Sequence, residues 1–274
     1  MQDIEISQSP LKSINPIDYT ISIRLLPGGF CFALYHRQQQ QFTTLYRKAA
    51  NSVADVVTQC EAMGVRLADF GQVNLLDDCK KWTLAPLHIE GLDIKAIWKL
   101  NFGSEPQTSL NKSAIAPANA LCLFEPSGKA LQLKEMLPQA NLYPLQAADI
   151  AYTIQGSLVA KGNFMGIDVR DKQVNIYLAN MGKLQLANAY NVETDTDILY
   201  FVMNTVRIFQ LSQTDTTLEL WGDLTPETIN LIGQYMKRVS IAKPYNRFDY
   251  MSAIKKLDNI HEYYDLFNIA ICAL

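Results

Sequence analysis

The order of predicted strands and helices is repeated in the two halves of the chain, and this repeat constrains the fold more than any other feature. Residues 21–24 read Ile-Ser-Ile-Arg and residues 167–170 read Ile-Asp-Val-Arg, so the two segments share two identities and one apolar pattern. Apolar–polar alternation over residues 19–25, and turn residues between the following segments, predict three strands in the first half, over residues 19–25, 30–35 and 42–46. Three strands are likewise predicted in the second half, over 164–170, 173–179 and 184–192. A helix follows each set, so two similar α/β subdomains are expected.

Further strands and helices are predicted after each three-stranded unit. In the first half they are a helix at 49–63, strands at 72–76 and 82–87, a helix at 92–100, a strand at 120–124, a helix at 128–137, a strand at 141–143 and a helix at 145–159. In the second half they are a helix at 195–211, a strand at 217–221, a helix at 225–237, a strand at 239–242 and helices at 250–257 and 261–272. The polar stretch 101–119 is expected to be a mobile loop. We therefore predict one subdomain over residues 1–159 and a second over residues 160–274.

The composition excludes several classes of protein. With 49% hydrophobic and 19% charged residues, the chain has the make-up of a globular protein rather than a disordered or collagen-like one. Its 24 basic and 27 acidic residues give a net charge of −3, which argues against nucleic-acid binding. No apolar run is long enough to span a bilayer, and residues 1–18 lack the pattern of a signal peptide. A cytoplasmic location without membrane insertion is therefore expected.

Cysteine and histidine spacing gives no indication of a metal site. The five cysteines include no Cys-x-x-Cys pair, and most lie in apolar stretches, so buried reduced thiols are predicted. The three histidines are far apart in the sequence, and their spacing does not match a zinc site. No Gly-x-Ser-x-Gly, His-Glu-x-x-His or Walker A motif is present. We predict no metal site.

Two other segments fit more than one interpretation. Tyr250, Tyr263 and Tyr264 fit either a surface that contacts a partner or a helix packed against a sheet. Ser127-Gly128 stands between a predicted strand and a predicted helix, so it fits either an anion site at the helix N-terminus or a simple turn.

The duplicated β-β-β-α-β-α unit resembles the actin-like ATPase fold, in which each half is a ribonuclease H-like subdomain. Residues 267–274, Phe-Asn-Ile-Ala-Ile-Cys-Ala-Leu, resemble the closing helix of the pilus-assembly and cell-division branches of that superfamily. Over nearly its whole length the chain is similar to a family of uncharacterised Bacteroidetes proteins with this fold. The resemblance implies an α/β protein whose two subdomains each have a mixed sheet flanked by helices, with a cleft between them.

Actin-like ATPases hold Mg²⁺-ATP between two hairpin turns that usually begin with Asp-x-Gly. The resemblance implies that this aspartate positions hydrated Mg²⁺ or the attacking water, while the glycine lets backbone amides approach the phosphates. In the first half Ser22 stands at the aspartate position and Arg24 at the glycine position. Gly28 and Gly29 follow, and they fit either an ordinary hairpin turn or a weak phosphate contact.

The second half keeps slightly more of the nucleotide-binding pattern. Asp168 stands at the acidic position, Arg170 replaces the glycine, and Gly222 alone remains of the glycine pair that accepts adenosine in the superfamily. Asp168 fits a remnant of a phosphate loop, an exposed acid at a strand end, or a partner of Arg170. Trp221 fits either a platform that stacks on a base or a core residue.

These departures predict that ATP hydrolysis is absent or negligible, with no catalytic residue and no cofactor. The favoured function is a non-catalytic cytoplasmic scaffold or interaction module that binds a protein partner, although the sequence leaves open whether the chain is an enzyme. The alternative is a nucleotide-binding switch for ATP with Mg²⁺, with a site formed by Ser22, Gly28, Gly29, Asp168, Arg170 and Gly222. A metal-dependent nuclease is a third possibility, but the acids Asp195 and Asp197 fit helix caps better than metal ligands.

Overall fold

Fifteen strands and nine α-helices make up the part of the chain that the computed structural model describes, residues 3–89, 91–243 and 247–273. The strands are β1 (Ile4–Ser7), β2 (Tyr19–Leu26), β3 (Gly29–His36), β4 (Gln41–Ala49), β5 (Gln72–Asp77), β6 (Trp82–Pro86), β7 (Asn111–Ile115), β8 (Ala120–Phe124), β9 (Asn141–Pro144), β10 (Asn163–Arg170), β11 (Gln173–Asn180), β12 (Lys183–Asn191), β13 (Thr217–Gly222), β14 (Arg238–Ile241) and β15 (Asp249–Tyr250). The helices are α1 (Val53–Ala62), α2 (Ile94–Phe102), α3 (Gly128–Met136), α4 (Leu145–Ala160), α5 (Asp195–Ile208), α6 (Pro226–Tyr235), α7 (Ser252–Lys255), α8 (Tyr264–Asn268) and α9 (Ala270–Ala273).

The two halves of the chain build sheets with the same strand order. The first sheet runs β1-β4-β3-β2-β5-β9, with β15 beside β4, and the second runs β12-β11-β10-β13-β14. In each, an antiparallel three-stranded meander is extended by two parallel strands, first β5 and β9, then β13 and β14. The internal repeat predicted from the sequence is therefore confirmed in the topology. A third, antiparallel sheet, β6-β8-β7, is inserted in the first half.

Each meander begins with a turn that needs a left-handed residue. Between β2 and β3 this residue is Gly28, with φ +80°, which glycine adopts without steric cost. At the equivalent turn between β10 and β11 it is Asp171, with φ +50°. Aspartate tolerates this conformation better than most side chains do. Gly28 is the second residue of its two-residue turn and Asp171 is the first of its own, so the two turns differ in shape.

Both faces of each large sheet are covered by apolar side chains. On β3, Phe30 and Phe32 face α1 and α3, whereas Cys31 and Ala33 face the segment that contains α7 and α8. Helix α4 is buried along most of its length and packs against both large sheets and the inserted sheet. This helix therefore joins the three sheets into one packed structure.

The stretch predicted as a loop, residues 101–119, is different in the structure. Helix α2 extends to Phe102, and β7 occupies Asn111–Ile115, followed by a 3₁₀ turn at Ala116–Ala118. Ser113 and Ile115 of β7 are buried while their neighbours are exposed. A half-buried strand with few apolar residues resembles a loop in composition, and this is why the prediction was wrong for β7.

The two helices predicted after residue 249 are found in part. The first, expected at 250–257, is shorter, because the segment begins with the short strand β15 and α7 covers only Ser252–Lys255. The second, expected at 261–272, is present as a 3₁₀ turn at Ile260–Tyr263 followed by the short helices α8 and α9. Tyr263 and Tyr264 are fully buried, so the tyrosines pack inside the fold and do not form an exposed partner surface.

The cysteines are reduced, as predicted, and four of them, Cys31, Cys60, Cys79 and Cys122, are buried. Burial raises the pKa of the Cys31 thiol to about 11, which keeps it in the unreactive thiol form. In the ranges that the structure describes, no helix combines the length and apolar character needed to cross a membrane.

Candidate functional site

A cleft of about 650 Å³ opens where the first turns of the two meanders approach each other. Its walls carry Arg24, Leu25 and Pro27 from the first half, and Arg170 and Asp171 from the second. The segments at the ends of β5 and β13 complete the walls. Ligand sites of α/β proteins lie at the carboxyl ends of parallel strands, and this cleft has that position in both sheets.

Charges of both signs line the cleft in equal number. The five cationic side chains are Arg24, Arg47, Lys80, Lys129 and Arg170. The five acidic side chains are Asp77, Asp78, Asp171, Asp223 and Glu262. The walls therefore carry no excess of positive charge for a polyanion.

Arg24 is neutralised by a carboxylate from the far end of the chain. Its Nη1 lies 2.7 and 2.8 Å from the two carboxylate oxygens of Asp265 in α8. The Asp265 side chain is completely buried, and that of Arg24 is only 7% exposed. Such a pair is costly to break, because the partner that remains would be a buried unpaired charge.

Arg170 forms the equivalent pair in the second half. Its Nε donates to Oδ2 of Asp168 at 2.9 Å, and Nδ2 of Asn175 donates to the same oxygen at 3.2 Å. Burial raises the pKa of Asp168 and the Arg170 guanidinium opposes this, which leaves the pKa at about 6. Asp168 is fully buried, so it is a partner of Arg170 and not an exposed acid.

A third buried carboxylate, Asp149, lies behind these pairs in α4. It accepts hydrogen bonds from Nε1 of Trp221 at 3.1 Å and from the hydroxyl of Tyr177 at 3.3 Å. Burial and the charge of Asp168 raise the pKa of Asp149 well above its usual range. Trp221 is a core residue whose ring nitrogen is committed to this carboxylate, and it does not form an exposed stacking platform.

Gly222 brings the end of β13 against the Asp168–Arg170 pair. Its φ is +88°, and a Cβ at this position would meet the carbonyl oxygen of Val169 and lie 2.7 Å from Oδ1 of Asp168. The space beside Gly222 is therefore already occupied by Val169 and Asp168.

Of the predicted site residues, the structure brings Asp168, Arg170 and Gly222 together. Ser22 is buried within β2, two residues before Arg24 and on the same face of the strand, and it is not on the cleft wall. Gly28 and Gly29 form the turn and the start of β3, and the cleft is lined by the residues just before them.

The sequence did not indicate three charged residues of this region, Asp265, Asp149 and Arg47. It indicated Arg24, but not that Arg24 forms a buried ion pair. Arg24 had a signal, since it stands at the position of Arg170 in the repeat. Asp149 also had one, since it is the single acid in the apolar run that forms α4. Asp265 and Arg24 are 241 positions apart, and no local pattern indicates their contact.

The start of α3 is occupied by a side chain of the protein itself. Asp77 accepts hydrogen bonds from the N–H of Ser127 at 2.8 Å and from its hydroxyl at 2.6 Å. The hydroxyl of Ser127 in turn accepts from the N–H of Ala130, as a helix cap does. Ser127-Gly128 is therefore a capped turn.

Of the two acids at the start of α5, Asp197 acts as a cap, whereas Asp195 accepts a hydrogen bond from the hydroxyl of Thr228 at 2.6 Å. Asp197 accepts from the N–H groups of Glu193 and Thr194, and Thr194 accepts from the N–H of Asp197. This reciprocal capping box accounts for Asp197 without a metal. Among the described residues, no group of three His, Cys, Asp or Glu side chains is placed to hold a metal ion.

Solved structures with the same fold are found at low sequence identity. A protein from Bacteroides thetaiotaomicron with an actin-like ATPase fold and unknown function aligns with a TM-score of 0.72 and 21% identity, over 85% of this chain and 93% of that one. A chain of the PilM–PilN type IV pilus biogenesis complex aligns with a TM-score of 0.60 and 9% identity, over 93% of this chain and 97% of that one. These identities establish the actin-like ATPase fold alone.

Comparison with curated proteins gives no match. A family model does match: residues 8–239 fit that of the proteins of unknown function called DUF3822. The chain belongs to this family of uncharacterised proteins, and it has the actin-like ATPase fold.

Proposed function

We propose that this protein is a non-catalytic actin-like protein that serves in the cytoplasm as a scaffold or protein-interaction module. The observation that carries the proposal is that each arginine at the hairpin turns is paired with a buried carboxylate, Arg24 with Asp265 and Arg170 with Asp168. A phosphate group that displaced either carboxylate from its guanidinium would leave a buried carboxylate without its partner. Breaking a buried pair in this way costs about 3–5 kcal/mol.

The charge balance of the cleft supports the same proposal. Five cations and five acids line its walls, and Asp168 and Asp265 add two acids behind them. A nucleoside triphosphate brings several negative charges, which need an excess of positive groups or metal ions to neutralise them. The residues present offer no such excess.

The environment of Asp168 fits Mg²⁺ poorly. Bound Mg²⁺ usually keeps several water molecules, whereas Asp168 is fully buried and its Oδ2 is shared by Arg170 and Asn175. The backbone at Gly222 faces Val169 and Asp168 instead of open space. We therefore assign no catalytic step to these residues.

An interaction role is consistent with the retained fold. Both halves have buried cores on both faces of their sheets, whereas neither segment before the first turn reads Asp-x-Gly. A chain with the same fold was solved within the PilM–PilN type IV pilus biogenesis complex. By analogy, a protein partner is the proposed ligand of this chain.

One observation favours the alternative, a nucleotide-binding switch with atypical loops. Within the described residues, Nη2 of Arg170 and Nε of Arg24 are buried without a hydrogen-bond partner. A cleft of about 650 Å³ also lies in the size range of small-molecule sites. An anion that reached both guanidinium groups would satisfy these two atoms.

Thermal unfolding with Mg²⁺-ATP, Mg²⁺-ADP and Mg²⁺-GTP, together with a phosphate-release assay, tests the proposal. We expect an unchanged Tm and a release rate equal to that of a mock preparation. A nucleotide present at one hundred times its Kd would instead add about 2.7 kcal/mol, which raises the Tm of a protein of this size by about 5–10 °C.

A matched pair of variants assigns any response to the cleft. Lys129→Glu reverses a charge on the cleft wall, and Lys112→Glu reverses an exposed charge on β7 outside it. A saturable rise in Tm that Lys129→Glu weakens and Lys112→Glu preserves would replace the proposal with the switch. Phosphate release above the mock level that Asp168→Ala abolishes would also overturn it.

A further inference from the structure

A groove of about 390 Å³ lies between the inserted sheet and the second large sheet. One wall contains Trp82, Thr83 and Leu84 of β6, and the other contains Ala187 and Ala189 of β12. In the described part of the chain, β6 and β12 are the outermost strands of their sheets. An outermost strand presents N–H and C=O groups that have no partner strand, so two such edges border this groove.

The register of β12 shows which of its backbone groups turn away from β11. Opposite residues of an antiparallel pair alternate between bonding to each other and pointing to the outer side. Val192 N–H donates to the carbonyl of Lys172 at 2.9 Å, so this pair is a bonded one. Every second residue before Val192 is bonded to β11 in the same way. The backbone groups of the residues between them, Asn191, Ala189 and Ala187, therefore point away from β11.

The same alternation applies to β6, which pairs with β8. Glu125 N–H donates to the carbonyl of Lys81 at 3.2 Å, so the backbone groups of Trp82 and Leu84 point to the outer side. Five of the outward-pointing residues of the two strands lie on the groove walls: Trp82, Leu84, Ala187, Ala189 and Asn191. Donors and acceptors from two sheets therefore face one channel.

Neither edge carries the usual protection against strand addition in this region. Charged residues and proline commonly protect edges, but residues 186–191 of β12 contain neither, and Pro86 stands only at the end of β6. The N–H of Ala189 is bonded to the side chain of its neighbour Asn188 at 3.0 Å. An incoming strand can replace that local bond without disturbing the β11–β12 ladder.

The groove also selects the charge of its occupant. The charged residues on its walls are Lys80 and Lys81, and the small side chains of Ala187 and Ala189 leave space above the sheet. Nζ of Lys80 lies 3.8 Å from Oδ2 of Asp171, so Lys81 is the cation on which this selectivity mainly depends. An acidic side chain on the bound segment would meet Lys81 and no acid on these walls.

We propose that this groove binds an extended, acidic segment of a partner polypeptide, which adds a strand to β12 and β6. The main-chain hydrogen bonds supply affinity, and the lysines and the small residues supply selectivity. This inference rests on the proposed interaction function and names the surface and the chemistry of the partner.

Selection from a phage-displayed library of random linear peptides of about ten residues tests the inference on the full chain. We expect selected peptides to be acidic and to slow hydrogen exchange at Trp82, Leu84, Ala187, Ala189 and Asn191. The intervening amides are already bonded within the sheets, so their exchange should change less. Peptides that protect other surfaces, a library that yields no binder, or pairing of β12 between two copies of the chain would overturn the inference.

Two substitutions at one position separate the backbone contact from the side-chain contact. Ala187→Pro removes an outward N–H and no ladder bond, since edge positions tolerate proline. It is expected to weaken binding of a selected peptide by about tenfold, the effect of one lost hydrogen bond and its geometry. Ala187→Ser keeps the N–H and is expected to bind within about twofold of the unmodified chain.

If Ala187→Pro does not fold, the inference can still be tested, because hydrogen exchange is measured on the unmodified chain. Lys81→Glu gives an independent readout, with about a tenfold loss for an acidic peptide. Equal affinity of all three variants would overturn the inference. Nucleotide turnover would overturn the non-catalytic proposal and leave the groove result standing, whereas a chain with no turnover and no groove binding would overturn only the groove.

Discussion

Gly222→Ala tests how tightly the end of β13 packs against the buried pair of the second half. The added Cβ would meet the carbonyl oxygen of Val169 and lie 2.7 Å from Oδ1 of Asp168. Forcing a non-glycine residue into left-handed φ costs about 1–2 kcal/mol, and overpacking a filled site costs about 1–3 kcal/mol. The expected loss in unfolding free energy is therefore about 2–5 kcal/mol.

Gly28→Ala is the matched control, because it separates strain from crowding. Gly28 has φ +80°, close to the +88° of Gly222, but no atom lies within 4 Å of its ideal Cβ position. It is expected to lose only the strain energy, about 1–2 kcal/mol. The difference between the two variants measures the crowding at Gly222.

Urea denaturation, monitored by tryptophan fluorescence, measures the stability of both variants. The loss in unfolding free energy is calculated from the change in the urea midpoint, with one m-value used for all variants. The calculation predicts that Gly222→Ala loses about 1–3 kcal/mol more than Gly28→Ala. Equal losses, within about 0.5 kcal/mol, would refute it. They would mean that the backbone at Gly222 has room for an added group, as a nucleotide phosphate would need.

Three further outcomes follow from the buried charges. Arg24→Met is expected to lose about 3–5 kcal/mol of unfolding free energy, and the Arg24→Met/Asp265→Leu double variant less than either single variant; additive losses in urea denaturation would contradict the ion pair. The pKa of Asp168 is about 6 in the folded chain and 3.8 in a model peptide, so ionisation is harder in the folded state. The unfolding free energy of the unmodified chain should therefore fall by about 3 kcal/mol more than that of Asp168→Asn as pH rises from about 4 to about 6, and parallel pH profiles would rule this out. In Asp149→Asn the side-chain oxygen can still accept the hydrogen bond from Trp221. This variant is expected to raise the Tm at neutral pH, because it removes a buried acid whose pKa is raised by burial. A Tm as low as that of Asp149→Ala would show that the carboxylate itself is needed.

The strands of both meanders could be predicted because they are runs rich in apolar residues separated by short turn segments. The strand expected at 164–170 is Asn163–Arg170 in the structure, and that expected at 19–25 is Tyr19–Leu26. Helix starts with strong caps were also found, as at Thr225 with Pro226, where Thr225 accepts from the N–H of Thr228. These features depend on neighbours along the chain, which sequence patterns report directly.

The ion pairs of the cleft could not be predicted in full, because they depend on contacts between distant segments. The repeat placed Arg24 and Arg170 at equivalent positions, but their partners are not equivalent: Asp168 is two residues from Arg170, and Asp265 is on α8. Residues 261–272 were predicted as a helix and are mostly helical, but helical periodicity does not show that Asp265 lies against Arg24, 241 positions away.

The packing of this last segment affects the order in which the chain can fold during synthesis. One face of the first sheet, including Cys31, Ala33 and Tyr35, is covered by residues 250–270. That face stays exposed on the ribosome until the whole second half has been made, although domains generally fold as they emerge. The two halves, despite their repeated topology, are therefore expected to reach the native state together, with the first half dependent on chaperones or on transient contacts until then.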